Sequence, residues 1–264
     1  MRTKLVLAAA LAATVLSGCN SASEPVAEAP AYSAKQYRSA IDDIARLDDR
    51  KDDEARKPGE LLAFAQIDKG EVVADYLMGS GYVTRLLAIA VGANGKVYAV
   101  QPDEIIAQFP NLAEAQDVAV APYADERGEP VRVFPLRGPM AQPPFPEPLD
   151  TIITVMNFHD LYTAKRPEGT AENTIKSFFD ALKPGGTLVV VDHRAADGAG
   201  AQAAEEFHRM DRELALKDLT AAGFVLDEES DLYAQAGDPH TVGVFDESIR
   251  GKTDKFALRL RKPE

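Results

Sequence analysis

The chain has 264 residues, 45% of them hydrophobic, which is enough for one well-covered α/β core and too little for two large domains. Its 42 acidic residues outnumber 29 basic ones for a formal charge of −13, so a broad phosphate-binding face is excluded and nucleic acid is not an expected partner. One cysteine excludes a disulfide within the chain.

Residues 1–18 read as a signal peptide: Arg2 and Lys4 precede an apolar run over 5–16 that ends in small residues, and the run is too short for a permanent membrane span. Leu16-Ser17-Gly18-Cys19 resembles the lipobox of bacterial lipoproteins. That resemblance implies acylation of Cys19, a cell-envelope location facing the periplasm, and attachment to the membrane through the lipid. An ordinary secretory signal with an incidental cysteine is the alternative reading. Residues 19–34, rich in Ala, Ser, Pro and Glu without an apolar period, are expected to form a flexible tether, leaving 35–264 as the folded domain.

Tyr37, Ile41, Ile44 and Leu47 are spaced by three and four behind Ser33, which predicts a capped amphipathic helix over 34–47. A charged stretch then runs to Pro58, and a short helix is expected over 60–65. Strand 72–76, the turn Gly79-Ser80-Gly81, helix 82–91, the turn at 92–95 and strand 96–100 form a βαβ unit, whose apolar strands imply a parallel sheet covered on both faces. Further strands are expected near 131–134, 149–155 and 186–192, with a helix over 174–182. Two last strands, over 224–229 and 255–261, read as a hairpin-like pair, and the proline-rich stretch 136–148 reads as a loop.

Asp75 to Tyr82 therefore sits between a strand and a helix, where glycines admit a ligand to the backbone and the helix start offers free amides. Three further segments follow in order: GANGKVYAV, PLDTIITVMNFHDL and ALKPGGTLVVVDH. Together they resemble class I S-adenosylmethionine (SAM) dependent methyltransferases over nearly all of the folded chain. The match is nearest to a group of exported bacterial predicted methyltransferases carrying segments like Asn157-Phe158-His159-Asp160, Asp192-His193 and Asp238-Pro239-His240-Thr241 with Arg250 to Asp254.

The resemblance implies a Rossmann-like α/β fold: a seven-stranded, mostly parallel sheet with an antiparallel last strand and helices on both faces. It implies SAM as cofactor, bound at Asp75, Gly79, Ser80, Gly81, Tyr82, Gln101 and Asn157. Two positions depart from the family pattern. Leu77 stands where the first glycine of the loop is usual, and Gln101 follows the second strand where an acidic residue usually binds the ribose. A neutral amide is a weaker anchor than a carboxylate.

In open α/β sheets ligands sit at the carboxyl ends of the strands, and all four histidines map to that edge or its loops. His159 beside Asp160 is the first candidate general base and His193 the second, because imidazole titrates near neutral pH. His208 is expected at the start of the following helix and His240 in a late loop. With Asp160 or Asp192 these histidines also form a possible ligand set for a metal ion, although their spacing follows no local motif. Asp192 is equally able to pair with Arg194 or Arg209. Tyr82 is a candidate to face a sulfonium, and Arg250-Gly251-Lys252 a candidate anion contact. The expected activity is methyl transfer to a small-molecule acceptor. A non-catalytic ligand-binding or envelope-interaction role on a degenerate scaffold is the alternative, favoured by Leu77 and Gln101.

Overall fold

The computed structural model describes residues 32–264; the signal sequence, Cys19 and the tether up to residue 31 lie outside the described residues. Seven strands form one sheet in the order β3-β2-β1-β4-β5-β7-β6. They are β1 (Val72–Tyr76), β2 (Lys96–Pro102), β3 (Val133–Gly138), β4 (Leu149–Val155), β5 (Leu182–His193), β6 (Val225–Ser230) and β7 (Lys255–Arg261). Neighbours are parallel except for β7, which lies between β5 and β6 and runs antiparallel to both. The last two strands thus pair as expected, but loop 231–254 joins them in place of a tight hairpin turn.

The nine helices of the described residues are α1 (Arg38–Ile41), α2 (Asp53–Arg56), α3 (Pro58–Ala65), α4 (Tyr82–Ala90), α5 (Asp103–Gln108), α6 (Asn111–Val120), α7 (Thr170–Ala181), α8 (Gln202–Phe207) and α9 (Arg212–Ala221). Alternation along each strand sends successive side chains to opposite faces. Val73, Val97, Ile153, Val189 and Val191 pack on one face with α3, α4 and the end of α6. Ala74, Tyr76, Ile152, Leu188, Val190 and Phe256 pack on the other with Ile105 of α5, Phe178 of α7 and Leu219 of α9. The sheet is therefore covered on both sides, as its near-continuous apolar strands require.

The single helix expected over 34–47 is broken into tight helical turns and the four-residue α1. Asp42 and Asp43 interrupt it, and the Asp43 carboxylate accepts the Ala45 amide at 2.9 Å to start a new turn. Order also begins earlier than residue 35, since Tyr32 donates its hydroxyl to Asp68 at 2.6 Å. Helices α5 and α6 have no counterpart in the sequence reading. Pro110 between them mimics a loop signal, and α6 buries only Gln116, Ala119 and Val120, leaving little apolar period to detect. The stretch 136–148 is a loop after Gly138, pinned by the Met140 carbonyl, which accepts the Tyr76 hydroxyl at 2.9 Å.

Candidate functional site

Strand β1 delivers Asp75 to the carboxyl edge, where it is fully packed. Its carboxylate accepts the Thr84 hydroxyl of α4 at 2.5 Å. Burial raises its pKa to about 6 despite that hydrogen bond. The chain then turns through Leu77, Gly79 and Gly81, all with left-handed φ (61°, 56° and 86°). Leu77 keeps the backbone path a glycine would take, at a cost of roughly 1–2 kcal/mol for an L-residue. Its side chain belongs to the core cluster of Tyr98, Val100 and Ile105, and its carbonyl accepts the Asn157 side-chain amide at 2.7 Å.

The two glycines serve different ends. A Cβ on Gly81 would stand 2.5 Å from the Ala119 Cβ and 2.9 Å from the Arg85 guanidinium, so packing requires glycine there. A Cβ on Gly79 would meet nothing within 4 Å. Beside that open space Gln101, 1% exposed, accepts the Gly79 amide through Oε1 at 3.2 Å, and its Nε2 is buried without a partner. An orphaned donor next to an unfilled glycine hollow fits a ligand carrying hydroxyl acceptors, as the ribose of SAM does. Ser80 is exposed on the same loop.

Next to the loop, bounded by the start of α4 and the ends of β4, β5 and β7, lies a cavity of about 850 Å³. Its walls include Arg56, Tyr82, Val83, Val155, Met156, His159, Asp160, Val191, His193, His208, Tyr233 and Lys255; Asp75, Gly79, Ser80, Gly81, Gln101 and Asn157 are not among them. Of the seven residues expected to hold the cofactor, only Tyr82 faces this space. It does not offer a free ring to a sulfonium, because the Arg56 guanidinium already sits 4.4 Å from the ring centroid and Arg46 5.0 Å. Its hydroxyl donates to Asp53 at 2.6 Å.

Three histidines converge on the cavity. The His159 ring lies 6.3 Å from that of His193 and 5.7 Å from that of His208. His159 Nδ1 is 3.0 and 3.1 Å from the two carboxylate oxygens of Asp192, and that carboxylate also accepts the backbone amides of His159 (2.6 Å) and His193 (2.8 Å). Burial alone would lower His159 and raise Asp192. Their mutual attraction and hydrogen bonds outweigh it, so the His159 pKa is raised and that of Asp192 lowered. Asp192 thus pairs with a histidine, and the two arginines considered for it go elsewhere: Arg209 to Asp238, fully buried, at 2.9 Å, and Arg194 to Asp254 at 3.3 Å.

His193 is driven down to about 3 by burial and remains neutral, with Nδ1 2.8 Å from the Thr253 hydroxyl. Burial raises Asp160, whose carboxyl shares the cavity with His159 and His208. His208 lies at the C-terminal end of α8, not at the start of a helix. His240 does not join the group: its Nε2 is 2.9 Å from Asp254, and Asp238 ties the same loop to Arg209 and to the Asp254 amide. The Asp238-to-Asp254 motif is therefore a clamp that sets Thr253 and Lys255 in place. Among the described residues no group of three or more His, Cys, Asp or Glu side chains is arranged to hold a metal ion.

Sequence reasoning missed Arg56, Tyr233, Thr253 and Lys255. Lys255 was within reach, as a cation opening the apolar run Phe256 to Leu258 in a strand expected to be buried. Arg56 was hidden in a stretch whose charges read as a solvated surface.

No protein-family model matches the chain, and no curated protein matches it either. Solved structures do resemble it. A SAM dependent methyltransferase from Aquifex aeolicus aligns with a TM-score of 0.53 at 20% identity, over 87% of this chain and 98% of that one. The N-methyltransferase NodS from Bradyrhizobium japonicum WM9 aligns with a TM-score of 0.54 at 17% identity, over 83% of this chain and 100% of that one. The cyclase SpnF aligns with a TM-score of 0.56 at 19% identity, over 79% and 80% of the two chains. The chain therefore has the Rossmann-like fold shared by these methyltransferases, a fold that a cyclase also uses.

Proposed function

We propose that the protein is a SAM-dependent methyltransferase acting on a small-molecule acceptor. The observation that carries this reading is the His159–Asp192 pair on the wall of a cavity of about 850 Å³, beside a glycine loop whose Gln101 keeps an unspent donor.

The Gly79–Gly81 loop and Gln101 Nε2 would hold the cofactor. When bound, SAM supplies a methyl group on a positively charged sulfur, open to in-line displacement. The chain's own work is to position the acceptor and take its proton. Asp192 holds His159 through Nδ1, which fixes the tautomer and leaves Nε2 as the base toward the cavity. Since Asp192 raises the His159 pKa, the rate should climb with pH through that pKa as the imidazole loses its proton. Val155, Met156 and Val191 exclude water from one side of the reacting groups.

Calorimetric titration with SAM and S-adenosylhomocysteine tests the proposal. Binding is expected, and no heat at millimolar ligand would remove it in favour of a non-catalytic role. Gly79→Val should abolish the binding by filling the hollow.

The proposal also places the protein in the envelope on a lipid anchor at Cys19, supported by the Leu16-Ser17-Gly18-Cys19 ending. Incorporation of a fatty acyl label that persists in Cys19→Ser would refute that part.

A further inference from the structure

Among the described residues four cations line the cavity without a paired carboxylate: Lys165 and Arg250 are exposed, whereas Arg56 is half-buried and Lys255 buried. Lys255 opens β7 opposite His193, is 8% exposed, and donates to the Thr253 carbonyl at 2.8 Å. Its Nζ lies 5.8 Å from the Tyr233 ring centroid. Arg56 ends α2, stacks over Tyr82, and its carbonyl accepts the Tyr233 hydroxyl at 2.7 Å. Neither side chain has an acidic oxygen within ion-pair distance among the described residues. Lys255 is in this the exception among the buried cations of the described residues, since Arg46 pairs with Asp53, Arg209 with Asp238 and Arg259 with Asp227.

Two like charges facing a shared space repel each other, and burying Lys255 without a counter-ion is costly. Such an arrangement is retained where an anion arrives to complete it. Arg56 offers a planar fork of donors and Lys255 a point charge, the usual complement of an oxyanion. Apolar side chains also line the cavity, with Leu61, Val83, Val155 and Val191 among them and Phe109 and the 63% exposed Phe245, while the polar groups of the wall, His159, Asp160, His193 and His208, gather around β4 and β5. A sulfonium would be repelled from the Arg56–Lys255 end, so that end is not where the methyl donor carries its charge.

We propose that Arg56 and Lys255 form an oxyanion seat, and that the methyl acceptor is a compact organic anion whose apolar body lies along Val155 and Val191. That the seated anion is the acceptor rests on the methyltransferase reading; the seat itself does not.

Burial lowers the Lys255 pKa to about 8, with Arg56 adding to the effect and Asp254, Asp238 and Asp192 opposing it. Of the other groups facing it, His193 is already neutral and Tyr233 is raised by burial, so neither changes charge between pH 7 and 9.5. Anion affinity should therefore fall across that interval as Lys255 loses its proton, beside whatever His159, whose pKa is raised by Asp192, loses on the same wall; the part that Lys255→Met removes belongs to the seat.

Titrating the protein with benzoate and with its neutral isostere benzamide tests the seat. Benzoate should bind roughly tenfold or more tightly than benzamide at pH 7, and lose most of that advantage at pH 9.5. Arg56→Met and Lys255→Met should each remove it, and the pH series on the unaltered protein stands if a variant does not fold. Equal affinity for the two probes, or benzoate binding indifferent to both substitutions and to pH, would overturn the seat.

A second arm compares S-adenosylhomocysteine with 5′-methylthioadenosine, which lacks the amino-acid carboxylate. The proposal expects both substitutions to leave both affinities unchanged. Selective weakening of S-adenosylhomocysteine would give the seat to the donor's carboxylate and overturn the acceptor assignment. Benzoate binding without any S-adenosylhomocysteine binding would keep the seat and refute only the methyltransferase reading.

Discussion

The two halves of the sheet's carboxyl edge are furnished differently. Around β1 and β2 the groups are neutral or closed on one another: Asp75 on Thr84, Gln101 on the Gly79 amide, Leu77 in the core. Around β4, β5 and β7 titratable groups are concentrated at a cavity lined by three histidines, Asp160 and Lys255, with Asp192 buried behind His159. One half is a backbone cradle with few side-chain demands, the other a site built from side chains that strain against burial. Perturbed titratable groups in a cleft are a mark of function, so the chemistry is to be sought in the second half.

The most severe test of that contrast is Asp192→Asn. Its carboxylate receives His159 Nδ1 and two backbone amides, so the change should cost roughly 3–5 kcal/mol in a urea unfolding series. It should also depress turnover by about 10²–10⁴ through loss of the oriented base. A change below about 1 kcal/mol would mean the pair is not the organiser of this half.

In the cradle, Gly81→Ala should cost roughly 2–4 kcal/mol by thermal denaturation, since its Cβ would collide with Ala119 at a φ of 86°. Gly79→Ala should cost only about 1 kcal/mol for its left-handed φ while weakening S-adenosylhomocysteine. Equal losses of stability would erase the distinction between packing and ligand space.

Asp75 tests the closed half through pH. Its folded pKa near 6 lies above the ordinary 3.8, so the native state holds the proton more tightly and stability falls as pH rises from about 4 through 6. Asp75→Asn should flatten that fall by on the order of 3 kcal/mol, read from urea midpoints across the range. An unchanged pH profile would show that Asp75 is solvated.

The smallest expected effect is at Gln101. Gln101→Leu removes the free Nε2 donor and should weaken S-adenosylhomocysteine about fivefold by calorimetry, near 1 kcal/mol. Unaltered affinity would show that the orphaned amide faces no ligand.

Most of the sheet was legible because strands such as β1, β4 and β7 are apolar runs bounded by turn residues, and the glycine loop stood in its strand–helix context. The helices were less so. Asp42 and Asp43 broke an apolar period that looked continuous, and α6 has too few buried positions to show one. At the site, His159, Asp160 and His193 were found as residue types at strand ends. Their partnerships were not, because Asp192 chooses His159 over a nearby arginine only when the two strand ends meet in space. The convergence of Arg56 and Lys255 is likewise invisible in one dimension, 199 positions apart, until α2 and β7 frame the same hollow.

Strand β7, wedged between β5 and β6, ties the completion of this site to a long-range pairing. Until Lys255–Arg261 is in place, Leu188 to Val191 present an open ladder edge and the Asp192–His159 pair lacks one wall. Pairings so distant in the chain are slow to close. The apolar edge of β5 is therefore the surface most in need of cover before β7 docks, and the cavity wall formed by His193 and Lys255 is complete only when those two strands meet.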